Sequence, residues 1–257
     1  MPVLSIITIN YNNKAGLEKT ILSVCSQTDA NFEFIVIDGG STDGSKEIIE
    51  RYRSKITVCV SEKDTGIYNA QNKGIANAKG DYCFFLNSGD LLANENVIKE
   101  IKQYLTVTDI VYGDLIIVDA TGKKEELHSP EKVDAPHFMV STLWHPTAFI
   151  KRSVFEKFGA YNESLKITGD YEFFIRTVLK HHVSTKHIAF AISIFDLGGI
   201  SNSDKNNELH AKERKKSWQL NYSDAEIVAF EELTRHQRSR EYKVRQLFKK
   251  IFNPFSK

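Results

Sequence analysis

The chain predicts an α/β fold: a mostly parallel central sheet with helices on both faces, followed by a helical C-terminal extension. Three observations carry that prediction. Short apolar runs of strand length alternate with segments whose apolar residues recur at helical spacing. The connections between them are short, as in a parallel sheet wrapped by crossover helices. Successive apolar runs end in small and polar residues, as in open sheets that bind ligands beyond the carboxyl ends of their strands.

The elements follow in order. Val3 to Ile9 reads as a buried strand that stops at Asn10-Tyr11-Asn12-Asn13, and Leu17, Ile21, Val24 and Cys25 mark a helix running to about Gln27. Phe32 to Ile37 is the second strand, ending in Asp38-Gly39-Gly40-Ser41-Thr42-Asp43-Gly44, with Ile48, Ile49 and Tyr52 in the helix after it. Ile56 to Val60 is the third strand. Its helix follows Asp64-Thr65-Gly66, with Ile67, Ala70, Gly74, Ile75 and Ala78 on one stripe. Tyr82 to Leu86 is a core strand ending in Asn87-Ser88-Gly89-Asp90, and Val97, Ile98, Ile101, Tyr104 and Leu105 stripe the next helix. From Asp109 the rhythm changes. Asp109 to Val118 reads as a long strand, Gly122 to Pro136 as loop, Thr147 to Ile150 as a short strand, and Ile188 to Phe195 as the strand closing the sheet. A short helix carries Phe155 and Phe158, and a longer one Phe173, Phe174, Thr177 and Val178.

Beyond Asn202 the chain turns highly charged and loses strand patterning. The expected division is therefore a sheet domain over 1–203 and a charged, helical extension over 204–257. With 41% hydrophobic and 26% charged residues and a net charge of +1, the composition is that of a soluble globular protein with no footprint of a nucleic-acid binder. Cys25, Cys59 and Cys83 have no metal-ligand spacing and read as buried free thiols of a reducing compartment. The chain enters its first strand with no basic leader, and no apolar run approaches the ~18 residues that span a bilayer. A cytoplasmic protein is expected.

If the strand ends share one rim, that rim carries an aromatic ring, amides and three carboxylates, with glycines that let a ligand approach the backbone. This inventory suits a nucleotide. Tyr11 would stack on a base, Asp38 would accept from base or ribose, and Asp90 with Asn87 would offer oxygens to a hard divalent cation. Each also has a plainer account: Ser41-Thr42-Asp43 caps a helix, Asn12-Asn13 turns the chain, and Ser88-Gly89-Asp90 closes a turn. Lys73, near Asn69 and Asn72 on one helical face, would lean on a diphosphate or simply be solvated. Asp170, just after Thr168-Gly169, would act as a general base or as a helix cap. In Trp144-His145-Pro146 the indole would stack on a sugar and the imidazole bond a substrate, although a lone histidine is more often structural. Neither G-x-G-x-x-G after the first strand nor G-x-x-x-x-G-K-[ST] occurs, which disfavours dinucleotide and P-loop chemistry.

These stretches, together with Val111-Tyr112-Gly113-Asp114, Gly169-Asp170-Tyr171-Glu172 and Gly198-Gly199-Ile200-Ser201, resemble family 2 of the inverting glycosyltransferases. The likeness runs in order from about Val3 to Ser201 and is nearest the bacterial branch that builds capsules, O-antigens and exopolysaccharides. It implies the GT-A fold and a nucleotide-sugar donor, with UDP expected. It places Thr8 and Tyr11 at the nucleotide, Asp38 at the uracil or its equivalent, and Asp64 and Lys73 along the nucleotide and diphosphate. Asp90 matches the metal end of the aspartate-rich motif, with Mg²⁺ or Mn²⁺ implied, and Asp170 the catalytic base. The full donor-side set is Thr8, Asn10, Tyr11, Asp38, Gly39, Asp64, Lys73, Asn87 and Ser88, with Trp144 and His145 as sugar or acceptor candidates. Asn87 and Gly89 stand where many members carry aspartates, and Gly169 where many carry glutamate.

In the tail, Val244, Leu247, Phe248, Ile251, Phe252 and Phe255 form a stripe interleaved with Lys243, Arg245, Lys249 and Lys250. Residues 242–255 thus read as a basic amphipathic helix for a membrane surface, where a lipid-linked acceptor would lie; packing on the domain or in a homodimer is the competing account. Two other functions compete with the transferase. The thinned aspartate motif suggests a non-catalytic nucleotide-sugar-binding or scaffold module, against which Asp90 and Asp170 are retained. A sugar nucleotidyltransferase would need a glycine-rich, arginine-bearing loop that Asn10 to Gly16 lacks.

Overall fold

The computed structural model describes residues 3–106, 108–119, 121–196 and 206–252, with the backbone alone for Asp196, Tyr242 and 244–252. The first half is a regular alternation: β1 (Leu4–Asn10), α1 (Lys14–Cys25), β2 (Glu33–Asp38), α2 (Ser45–Arg51), β3 (Val58–Ser61), α3 (Ile67–Asn77) and β4 (Tyr82–Phe85). The second half holds β5 (Leu91–Leu92), α4 (Val97–Ile101), β6 (Ile110–Val118), β7 (Lys124–Leu127), α5 (Ala135–Val140), β8 (Ala148–Lys151), α6 (Arg152–Phe158), α7 (Gly169–Phe174) and β9 (Thr185–Asp196). Helices α8 (Asn207–Gln219) and α9 (Asp224–Phe252) follow.

All nine strands join one sheet in the order β3-β2-β1-β4-β8-β6-β9-β5, with β7 taking over the β8 edge of β6 along its carboxyl half. Strands β3, β2, β1 and β4 are parallel, so their carboxyl ends share one rim, and β6 runs with β4 because each is antiparallel to β8. Alternation along buried strands divides the core between two faces. Leu4, Ile6, Phe34, Val36, Phe84 and Leu86 pack with α1, α2 and α4, whereas Ile7, Ile9, Ile35, Ile37 and Phe85 pack with α3, α7 and α8. Gly74 belongs on the α3 stripe because a Cβ there would run into Ile7. The ring of Tyr68 and the side chain of Gln71 are buried beside it, so the buried stripe of α3 is rotated from the one read in the sequence.

Several expectations are corrected. Gly122 to Pro136 is not simply loop: Lys124–Leu127 forms β7 and Ala135–Val140 forms α5, capped by Asp134. Glu125 and Glu126 sit on an exposed edge strand, where apolar periodicity has no core to follow. The sheet is closed by β5, not β9, and its second half is mixed. Glu33 begins β2 although charged, because Ser5 Oγ and the amides of Lys79 and Gly80 all donate to its carboxylate. Helix α7 continues as a π-helical stretch from Ile175 to Lys180. Cys83 is buried and free, but Cys25 is exposed and Cys59 half-buried, because α1 and β3 each turn one side outward.

Phe84, fully buried, stacks on Phe149 with ring centroids 4.4 Å apart and ties the parallel half to β8. Phe84→Ala should destabilise the fold by about 3–5 kcal/mol, read as a lower urea midpoint. A loss below about 1 kcal/mol would contradict this account of the core.

Candidate active site at the carboxyl-end rim

The ends of β1 and β2 are knotted by buried hydrogen bonds. Asn10 Nδ2 donates to Asp38 Oδ1 at 2.9 Å and to Ser41 Oγ at 3.1 Å, while Ser61 Oγ and the Ser41 amide donate to Asp38 Oδ2 at 2.7 and 3.1 Å. Burial pushes the Asp38 carboxyl up, but the hydrogen bonds from Ser41, Ser61 and Asn10 outweigh it and hold the group below its ordinary value. Asp38 has no exposed surface. Its oxygens here fix the loop that carries Gly39 and Ser41. Thr8 is also fully buried, and its hydroxyl donates to the Leu86 carbonyl at 2.7 Å, pinning β1 to the end of β4.

Gly39 lies between two of the expected ligand residues. A Cβ on it would run into the Asp64 carboxylate and approach the Tyr11 ring to 3.2 Å, so the ring, the carboxylate and bare backbone converge. Tyr11 is 66% exposed, an open aromatic surface rather than a core residue. Lys73 is not free to lean on a diphosphate here. It pairs with Glu62 at 2.7 Å and donates to the Lys63 carbonyl, on the loop that carries Asp64. Asn69 and Asn72 both donate to Glu163, and so belong to the support of the 161–163 segment.

The turn after β4 is gripped from α1. Asn13, the N-cap of α1, donates to the Ser88 carbonyl at 2.9 Å, and Thr20 Oγ1 donates to the Asp90 carbonyl at 2.8 Å while accepting from the Gly89 amide. Gly89 has φ +110°, a conformation that an aspartate adopts only under strain, so a glycine suits this turn. Asp90 is buried, and Asn87 Oδ1, on the same turn, is a buried oxygen with no hydrogen-bond partner. Such an orphan acceptor beside a carboxylate fits a hard, oxygen-seeking divalent cation. Asn10 Oδ1 is a second orphan oxygen on the rim.

Across the rim, Asp170 stands in the first turn of α7, where Thr168 and not Asp170 occupies the cap position. Tyr68 Oη lies 2.9 Å from Asp170 Oδ1 and 2.7 Å from the Ile167 carbonyl. Gly169 is required by this contact: a Cβ would sit 2.7 Å from the Tyr68 ring, so the glutamate of many relatives has no room. His145 is buried, stacked on Phe85 with centroids 4.8 Å apart, its Nε2 2.8 Å from Tyr161 Oη. Burial lowers its pKa against the opposing pull of Asp170, and burial raises that of Tyr161, its hydrogen-bond partner. His145 is thus buried against Phe85 and Tyr161, while Trp144 beside it is half-buried. The Asp90 and Asp170 segments are linked through this patch: Leu92, two residues after Asp90, pairs with Ser193, whose hydroxyl donates to the carbonyl of Pro146 next to His145. The residues that sequence reasoning passed over are Tyr68, Asn13, Thr20 and Tyr161. Tyr68 alone left a signal, an aromatic between Ile67 and Asn69 on the helix that carries Lys73.

A separate cluster lies further along the sheet. Register irregularities around Asp114 turn its buried carboxylate toward His128, which donates through Nδ1 at 2.8 Å, and His187, which donates through Nε2 at 2.7 Å. Asp114, Glu126 and His128 bring ligand atoms within 4.8 Å of one another, the one such group among the described residues. The Asp114 hydrogen bond raises the His128 pKa. Stabilisation by protonated His128 is therefore full below its unfolded value near 6.5 and is lost as pH rises through the raised folded value. It is lost again in acid, once Asp114 protonates. The melting-temperature difference between wild type and His128→Ala should be largest near pH 5.5 and vanish toward about pH 9; a difference flat across that range would refute the ion pair.

Comparison with known proteins gives the geometry its context. Residues 5–181 match the family model for glycosyl transferase family 2. Over 209 residues the chain is 25% identical to a PGL/p-HBAD biosynthesis glycosyltransferase of Mycobacterium tuberculosis (strain ATCC 25177 / H37Ra), covering 79% of this chain and 80% of that one. Over 186 residues it is 32% identical to an uncharacterized glycosyltransferase of Rickettsia typhi, covering 68% of this chain and 58% of that one. The fold is similar to that of S. aureus TarS 1–349 in complex with UDP, with TM-score 0.62 and 20% identity over 75% of this chain, which spans 60% of that structure's length. It is also similar to the Pyrobaculum calidifontis mannosyltransferase PcManGT in complex with GDP-Man and Mn²⁺, with TM-score 0.57 and 16% identity over 76% of this chain and 56% of that one. The sheet is that of the GT-A glycosyltransferases, and the chain belongs to glycosyl transferase family 2.

Proposed function

We propose that this chain moves a sugar from a UDP-linked donor to a hydroxyl of a saccharide or lipid-linked saccharide, with inversion at the anomeric carbon, during surface-polysaccharide assembly. The observation that carries the reading is the placement of Asp170 in the first turn of α7, with Tyr68 Oη against its carboxylate and the Phe85–Phe155–Phe173 contacts joining that helix to the strand that leads into the Asp90 turn. UDP stands in the related TarS structure, and a divalent cation with a nucleotide-sugar in the mannosyltransferase, which supports the same ligand classes here.

Tyr11 and the bare backbone at Gly39 would receive the base, with Asp64 beside them. Asp90 and Asn87 Oδ1 would hold a divalent cation, Mg²⁺ or Mn²⁺, which when bound neutralises charge on the departing diphosphate. The Lys73–Glu62 pair is a partly exposed bridge of the kind worth ~0–1 kcal/mol, so a diphosphate nearby can draw Lys73 away. Asp170 would take the proton of the acceptor hydroxyl. The acceptor oxygen then bonds to the anomeric carbon as the carbon–oxygen bond to the diphosphate breaks, and the nucleoside diphosphate leaves with that electron pair. One displacement inverts the centre and needs no enzyme nucleophile. Trp144 would face the sugar or acceptor.

A thermal-shift screen of nucleoside diphosphates and nucleotide-sugars, with and without metal, identifies the donor by its mass-action stabilisation. With that donor, Asp170→Asn should keep the ligand-induced shift while transfer falls about 10²–10⁴-fold. Near-normal turnover would remove Asp170 from the role, and no shift from any nucleotide-sugar would remove the donor class.

The side chains of Tyr242 and 244–252, and residues 253–255 altogether, lie outside the described residues, so the membrane reading of 242–255 stays with the sequence stripe. It assigns the enzyme to the cytoplasmic membrane face, near a lipid-linked acceptor. Truncation before Tyr242 should abolish binding to anionic liposomes; unchanged binding would move the stripe to subunit packing.

A further inference from the structure

We infer that Glu213, on helix α8 of the C-terminal extension, is a positioning residue for Asp170, setting the backbone that delivers the Asp170 carboxylate to the rim. The inference rests on the transferase reading above, and α8 lies beyond the family-matched segment 5–181.

Glu213 is 5% exposed, a carboxylate taken out of water, and it is spent entirely on the approach to α7. Its Oε1 accepts from the Lys166 amide at 2.8 Å. Its Oε2 accepts from the Ile167 and Thr168 amides at 2.9 and 3.2 Å, with Thr168 Oγ1 at 3.4 Å. Three successive backbone N–H groups thus converge on one anion, an arrangement that fixes the curvature of the segment. The consequence reaches Asp170 through one residue. The carbonyl of Ile167, whose amide Glu213 holds, shares the Tyr68 hydroxyl with Asp170 Oδ1. Moving the 166–168 backbone therefore changes both where Asp170 sits and how fully Tyr68 donates to it.

Docking of α8 does not depend on Glu213 alone. Trp218 Nε1 donates to Tyr171 Oη at 2.7 Å, Asn221 Nδ2 to Glu172 Oε1 at 3.0 Å, and Arg214 lies 3.9 Å from the Tyr171 ring centroid while donating to the Phe138 carbonyl. The extension clamps α7 on both sides of the base, and a Glu213 variant retains those other clamps.

Glu213→Gln is nearly isosteric but offers a single acceptor oxygen and turns an NH₂ toward backbone donors. With the full chain and its donor, kcat should fall about 10–100-fold, the scale of an ångström-size misplacement, with donor KM within about twofold and the nucleotide-induced thermal shift unchanged. In the Asp170→Asn background the same substitution should add no more than about twofold, because a residue acting through Asp170 has nothing left to position. Glu213→Asp keeps both oxygens but withdraws them by about one bond, ~1.5 Å, and should recover part of the lost kcat. If the glutamine variant does not melt cooperatively, the aspartate variant carries the same comparisons. Unchanged kcat in a folded variant, or a full multiplicative loss on top of Asp170→Asn, overturns the inference. Absence of transfer by the wild type overturns the transferase reading, and this inference with it.

Discussion

Beside the β4–β8 pairing, an aromatic column joins the two halves of the molecule on the α3 and α7 face of the sheet, and the geometry of the rim depends on it. Phe85, the last residue of β4, packs against His145, Tyr161 and Phe155, and Tyr161 and Phe155 in turn pack against Phe173 of α7. Edge-to-face and stacked pairs of this kind contribute about 0.5–1.5 kcal/mol each beyond the area they bury. Their positional effect is larger than that sum suggests. Phe85 is followed at once by Leu86 and the Asn87–Asp90 turn, and Phe173 lies one helical turn after Asp170. The column is thus a spacer between the two carboxylates, and its rings have few alternative packings.

Around that spacer the polar residues divide by burial into two kinds. Asp38, Thr8 and His145 are sealed, and their polar groups bond within the protein. Tyr11, Asp64 and Trp144 keep surface. A buried carboxylate is tolerated only when its oxygens are satisfied, and one so satisfied is a rigid support. Preorganisation of this sort lets the exposed members meet a ligand without reordering the loops beneath them. Two of the three departures from the family pattern follow the same logic: Gly89 turns where φ is positive, and Gly169 makes way for the Tyr68 ring.

The C-terminal extension belongs mechanically to the site. Helix α8 reaches α7 through Glu213, Trp218 and Asn221, and Trp218, Tyr222 and Phe230 pack together where α8 meets α9. A boundary drawn where strand patterning stops therefore separates secondary-structure types without separating mechanical units. The charged composition of α8 hides this because a few inward side chains, spaced by solvated lysines and arginines, do the docking.

The sequence by itself determined the strand–helix alternation, the common rim of Asn10, Asp38, Asp64 and Asn87–Asp90, and the family. Strict apolar periodicity and strand-end polarity are local properties, written within a few residues of each other. It missed β7, an exposed edge strand without apolar periodicity, and it missed α5 and the docking of α8 on α7, whose partners lie far along the chain; it also left open the use of each polar residue. Whether Asp38 meets a ligand or a serine, whether His145 faces solvent or Phe85, and whether a glutamate more than forty residues after Asp170 holds the loop before it are questions of burial and long-range hydrogen bonding. Only the tertiary structure decides them, because desolvation is set by what packs over a group and not by its neighbours in sequence.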